Sequence, residues 1–132
     1  MNTLVATVKE IYSIQQLHQV FVQCNDRTLQ IVTLELDPKI QVGVKVKLGI
    51  KPTHLLLAKD HCKTLSITNQ FPATLQNSNK GKILTTLKLQ WQNTTLESII
   101  TTAAFEQLNI KEGAVVYGCV SESAITITEV LG

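Results

Sequence analysis

Apolar and polar residues alternate along most of this chain, the period-2 signature of strands that bury one face. Val42-Gly43-Val44-Lys45-Val46-Lys47-Leu48-Gly49-Ile50 and Ser123-Ala124-Ile125-Thr126-Ile127-Thr128 are clear cases. Threonine, valine and isoleucine dominate these runs, as a pleated, half-buried surface prefers. One segment predicts a helix of two turns at most: Thr101-Thr102-Ala103-Ala104-Phe105-Glu106-Gln107-Leu108, with a threonine able to cap it and Leu108 three residues after Phe105.

The pattern also repeats. Ile40-Gln41-Val42-Gly43-Val44-Lys45-Val46 aligns with Ile110-Lys111-Glu112-Gly113-Ala114-Val115-Val116 at an offset of 70 (110 − 40), ungapped to Leu55-Leu56-Leu57 against Ile125-Thr126-Ile127. Leu29-Gln30-Ile31-Val32-Thr33 matches Glu97-Ser98-Ile99-Ile100-Thr101 at 68 (101 − 33), which places two extra residues of the second copy where its helix lies. Ala6-Thr7-Val8 matches Gly81-Lys82-Ile83 at 75 (83 − 8), which gives the first copy the longer hairpin, with Asn25-Asp26 as its turn.

Each half therefore reads as strand, hairpin, strand ending in threonine, short helix or turn, a Gly-containing corner, and two strands. The joint falls in the polar cluster Lys59-Asp60-His61-Cys62-Lys63, which divides the chain into modules 1–66 and 67–132. Five short strands with one short helix is the count of a small Greek-key barrel of the oligonucleotide/oligosaccharide-binding (OB) type. The expected fold is all-β: two tandem OB-like five-stranded Greek-key barrels, each with a short helix or turn. Modules this small bury only about 60% of their unfolded surface, so each is expected to lean on the other or on a second chain.

Composition narrows the chemistry. The 132 residues are 44% hydrophobic and 17% charged, with a formal net charge of +2, a mild positive field that suits small anions and is too weak to argue for nucleic acid. Arg27 is the only arginine, and aromatics are 5% of residues, so bidentate phosphate recognition and base-stacking platforms are both scarce. Cys24, Cys62 and Cys119 lie far apart without a Cys-x-x-Cys pair, which supports neither a disulfide framework nor a zinc site and fits a reducing compartment. The first residues lack a basic, apolar leader and no stretch approaches a membrane span, so a soluble, cytoplasmic protein is expected. No Ser/His/Asp set, paired carboxylates or Gly-rich nucleotide loop can be assembled, and no enzymatic activity is expected.

The half-pattern running from Asn77-Ser78-Asn79-Lys80-Gly81-Lys82-Ile83 through Ile99-Ile100-Thr101 to Leu108-Asn109-Ile110-Lys111-Glu112-Gly113 and Val120-Ser121-Glu122-Ser123 resembles the molbindin (Mop, or TOBE) module. That module opens with Ser-Ala-Arg-Asn and then Leu-x-Gly, ends a middle strand in Ile-Thr, continues with Leu-Gly-Leu-x-x-Gly and closes with Ile-Lys-Ala-Ser/Thr. In the first copy, Gly49-Ile50-Lys51-Pro52-Thr53-His54-Leu55 resembles the closing motif, with proline for alanine. The doubling resembles di-molbindins implicated in molybdate storage and the effector half of molybdate-responsive repressors.

The resemblance implies a site for molybdate or tungstate. A tetrahedral dianion is held by backbone N–H groups, hydroxyls and a cation, with no carboxylate facing it. The implied donors are Lys51, Thr53 and Thr33 in the first copy. In the second they are Thr101, Ser121 and Ser123, with Thr74, Gln76 and Asn77 standing where the family has Ser, Arg and Asn. Two departures stand out: Gln76 replaces the arginine, and Glu122 replaces the small alanine with a carboxylate that opposes an anion if it points inward.

Each residue also has a plain structural role open to it. Lys51 can be a solvated strand-end lysine, the threonines ordinary strand residues, and Gly43, Gly81 and Gly113 turn or close-approach glycines. His61-Cys62 reads as linker surface, and Trp91 as packing or interface at a hairpin tip. Two functions from different classes follow. One is an oxyanion-binding protein for storage, buffering or sensing that works as a homo-oligomer, dimer or trimer. The alternative is a ligand-weak dimerisation or regulatory module acting with a molybdate transporter ATPase or a repressor. A single-strand nucleic-acid barrel ranks third, and neither nucleic acid nor a membrane is an expected partner.

Overall fold

In the computed structural model, which describes residues 1–132, alternation becomes strand along most of the chain, but the two runs from Val42 and Ser123 begin as turns and become strand only at Lys45 and Thr126. The first half forms β1 (Asn2–Ile14), β2 (Leu17–Cys24), β3 (Arg27–Thr33), β4 (Lys45–Ile50), a single 3₁₀ turn (Pro52–His54) and β5 (Leu56–Ala58). The second half forms β6 (Gln70–Lys80), β7 (Leu84–Trp91), β8 (Thr94–Thr101), α1 (Thr102–Leu108), β9 (Val115–Cys119) and β10 (Thr126–Val130). The helix lies where expected, and Thr101 caps it by accepting from the Ala104 amide at 3.1 Å. Tight hairpins join the strands through residues in left-handed backbone at Gln15, Asn25 and Gln92, Asn25 falling in the Asn-Asp turn read from sequence.

The strands assemble into two curled five-stranded sheets, β10-β4-β1-β2-β3 and β5-β9-β6-β7-β8, all antiparallel. Each half gives its last strand to the other: β5 pairs with β9, and β10 pairs with β4. This exchange covers an edge of each sheet that would otherwise present unpaired N–H and C=O groups. It also merges the interiors, so that 24 buried residues, among them Leu4, Val20, Leu48, Phe71, Leu89 and Val120, form one continuous core.

Sheet register corrects the internal alignment. Val8 pairs with Val22 in the first half and Leu75 with Leu89 in the second, an offset of 67 (75 − 8 and 89 − 22). The β2–β3 and β7–β8 hairpins follow the same offset, Cys24 opposite Arg27 and Trp91 opposite Thr94. Even the bulges correspond, one between Val8 and Glu10 and the other between Leu75 and Asn77. The two halves therefore have hairpins of equal length. Gly81-Lys82-Ile83 is the turn between β6 and β7 and opens no strand, and three extra residues, not two, accompany α1 before the offset becomes 70.

Candidate functional site

With the register fixed, β6 begins at Gln70, so Thr74, Gln76 and Asn77 lie within a strand and not in a loop before it. Thr74 is exposed, and Gln76 is the unpaired residue of the bulge, its side-chain amide donating to Gln90 Oε1 at 3.2 Å. Asn77 borders an open groove of about 470 Å³ with Asn2, Lys88 and Glu97, where a carboxylate offsets the one lysine. The Ser-x-x-Asn opening pattern stands eight residues earlier (74 − 66), at Ser66-Ile67-Thr68-Asn69, followed by Phe71-Pro72-Ala73. That spacing is visible in the sequence and is the signal that would have found it.

Asn69 and its first-half counterpart Asn2 are nearly inaccessible and make the same clamp. Asn69 accepts from the Gln30 amide and donates to the Gln30 carbonyl, both at 2.8 Å. Asn2 treats Glu97 in the same way, at 2.7 and 2.8 Å. Gln30 and Glu97 lie on the edge strands β3 and β8, whose outward backbone groups would otherwise be unpartnered. Each opening segment is thereby fastened to the opposite barrel.

Strand exchange also brings the two closing motifs together. β4 runs into Lys51 in extended backbone (φ −65°, ψ 139°), and Pro52 then starts the 3₁₀ turn. Lys51 and Ser123 line one small cavity of about 130 Å³ with Gly49, His54 and Thr126, and no carboxylate reaches it. Gly49 lets the Met1 side chain pack closely against this corner, since a Cβ there would stand 2.7 Å from Met1 Sδ. Ser121 Oγ lies 3.2 Å from Ser123 Oγ, and Thr53, the equivalent of Ser123, is exposed on the 3₁₀ turn. A cation, an imidazole and hydroxyls in a carboxylate-free corner are the donor set a small oxyanion requires.

The middle-strand threonines are used locally. Thr33 Oγ1 donates to the Glu35 carbonyl at 2.9 Å and accepts from its amide at 3.3 Å, while Thr101 caps α1. Thr33 does share a cavity of about 280 Å³ with Ser123, but Glu35 and Asp37 line it too and would repel an anion. Glu122 does not line the Lys51 corner. Its Oε1 accepts from the Thr68 amide at 3.0 Å and the Thr68 hydroxyl at 2.8 Å. Burial works against its charge, yet the hydrogen bonds from the Thr68 amide, its own amide and the Thr68 hydroxyl outweigh this and hold its carboxyl below the ordinary value.

The remaining candidates are structural. Trp91 is buried, stacked on Phe71 at 4.0 Å between ring centroids, and its indole N–H donates to Asp26 Oδ1 at 3.3 Å. His61 packs edge-on against Tyr117, and Cys62 is fixed through its backbone by the Gln70 amide. No group of three or more His, Cys, Asp or Glu residues is placed to hold a metal ion. No helix is long and apolar enough to cross a membrane.

The fold thus defines a class: a duplicated, strand-exchanged OB-type barrel protein with a polar corner where the halves meet. A solved structure with a similar fold is that of the cytoplasmic molybdate-binding protein ModG with molybdate bound. It superposes with a TM-score of 0.87 over 95% of this chain and 93% of that one, at 23% sequence identity. In sequence, the chain is 30% identical over 103 residues to the molybdate/tungstate import ATP-binding protein WtpC of Pyrococcus horikoshii. The match takes in 78% of this chain and spans only 30% of that relative's length. No family model matches the chain.

Proposed function

We propose that this chain is a cytoplasmic oxyanion-binding protein that takes up molybdate or tungstate for storage, buffering or sensing and has no catalytic role. The modules 1–66 and 67–132 act as one unit through their exchanged strands, and homo-oligomers bring further donors to the corners. The observation that carries the reading is the Lys51–Ser123 corner: a lysine, His54 and hydroxyls around a cavity free of carboxylates. End-to-end likeness to a molybdate-loaded barrel protein supports the choice of anion. Lys51 would supply charge-assisted hydrogen bonds, and Ser123, Ser121 and Thr53 neutral donors that accommodate a tetrahedral guest without strong directionality. Thr33, Thr101, Thr74, Gln76 and Asn77 contribute through the fold or at a subunit contact.

Calorimetric titration of the purified chain with molybdate, tungstate and sulfate tests this reading. Heat of binding with molybdate or tungstate at sub-millimolar concentration is the expected result, and none with any of the three removes it. The relative among import ATP-binding proteins favours a second reading, a regulatory or dimerising module that works with a transporter ATPase. A self-associating particle indifferent to all three anions would select it.

A further inference from the structure

The two closing corners are equivalent in backbone but opposite in charge. At the offset of 70, Pro52 of the first corner corresponds to Glu122 of the second, and Lys51 to Ser121. The first corner is open and carries a cation. In the second, one carboxylate oxygen gathers the Thr68 amide at 3.0 Å and the Thr68 hydroxyl at 2.8 Å. Converging backbone N–H and hydroxyl donors on an oxygen of full negative charge make an anion nest. The anion it holds belongs to the chain itself.

The segment around Thr68 is a built one. Asn69 is locked onto Gln30, and the Gln70 side chain donates to the carbonyls of Cys62 and Ile67, each at 2.8 Å. The Thr68 donors are thereby held whether or not Glu122 reaches them. A cavity of about 220 Å³ opens on Thr68 and is lined also by His61 and Lys63, with no carboxylate in its wall. The Thr68 donors are thus taken up by a tethered carboxylate, and the cavity that Thr68 also borders, which Glu122 does not line, brings Lys63 to the same segment.

We infer that Glu122 is an internal ligand, occupying the donors of a second oxyanion site at Thr68 and keeping a small tetrahedral dianion out. A carboxylate on a short tether meets its donors at an effective concentration on the order of millimolar, so free anion at sub-millimolar levels loses the competition. The wild-type chain then offers one corner, at Lys51, and holds the second in reserve. The inference rests on the oxyanion reading above.

Equilibrium dialysis of the full chain against molybdate tests it, comparing wild type with Glu122→Ala and with Glu122→Ala combined with Thr68→Val. Glu122→Ala is expected to bind one molybdate more per chain than wild type, and Thr68→Val to abolish that gain. The same number bound by wild type and a folded Glu122→Ala overturns the inference. If Glu122→Ala does not fold, Glu122→Gln decides. It keeps the acceptor and removes the charge, so the additional equivalent appears at higher molybdate concentration, and no gain overturns the inference. A wild type that binds nothing counts against the Lys51 corner alone, because gain or no gain in the variant still decides this one.

Discussion

Asn69→Ala should destabilise the fold far more than its position just outside a strand suggests. The side chain, 1% exposed, satisfies both backbone groups of Gln30 on the edge strand β3. Alanine leaves an N–H and a C=O without their partner, at about 1–3 kcal/mol for each group left unsatisfied. Gln30 is only half-buried and water can reach part of it, so the lower half of that range applies, about 2–4 kcal/mol for the two groups together. An unfolding entropy of about 2.1 cal/mol/K per residue converts this into a melting temperature lower by roughly 7–14 °C. Circular dichroism melts and urea midpoints at neutral pH measure it. Asn2→Ala removes the matching clamp on Glu97 and should cost a similar amount. If Asn69→Ala melts within about 2 °C of wild type, the clamp is not what fastens the opening segment across the barrels.

Other consequences are open to direct measurement. Lys51→Met removes the one lysine of the first corner, and losing a charge-assisted hydrogen bond of about 1.5–3 kcal/mol should weaken molybdate binding roughly 10- to 150-fold while leaving the melting temperature near wild type. Unchanged affinity would place the anion elsewhere. Glu122 titrates below its ordinary value of 4.5 in the folded chain, so its contribution to stability is present above that value and is lost as pH falls through the lowered folded value. The stability difference between wild type and Glu122→Gln should accordingly shrink on acidification below about pH 4.5, as urea melts at stepped pH would show. Burial, with the Asp26 charge adding to it, pushes the Cys24 thiol up to about 11, and burial first and Cys62 second raise Cys119. Cys24 and Cys119 are buried and Cys62 is not, so native protein should show one fast-reacting thiol in a thiol-disulfide exchange assay and all three only after unfolding. Equal rates for the three would contradict the burial of Cys24 and Cys119.

Local physics made much of this protein legible from the sequence. The strands and the one helix were readable because burial on one face imposes a period of 2 or 3.6 on any chain, and Thr101 sits where a cap is needed. The duplication and the OB-type barrel were readable for the same reason. Register was not. The expected offset of 75 for the first strand differs from the observed 67 by eight, an even number, and an even slip leaves every inside position inside. An offset of 75 therefore sets the opening pattern on Thr74, Gln76 and Asn77, whereas the observed register sets it on Ser66, Thr68 and Asn69. The offset of 68 slips by one residue from the observed 67, an odd number, and carries its own warning, since it sets Leu29 against Glu97 where the structure aligns two buried leucines, Leu29 and Leu96.

What the sequence by itself determined is the number and kind of elements, their doubling, and the donor-rich, arginine-poor chemistry at their ends. Only the tertiary structure decided that each half lends its last strand to the other, and thus that Lys51 meets Ser123 and Glu122 turns to Thr68. Those meetings join residues more than fifty positions apart, and no local periodicity encodes a contact whose geometry is set by how two sheets close on a shared core.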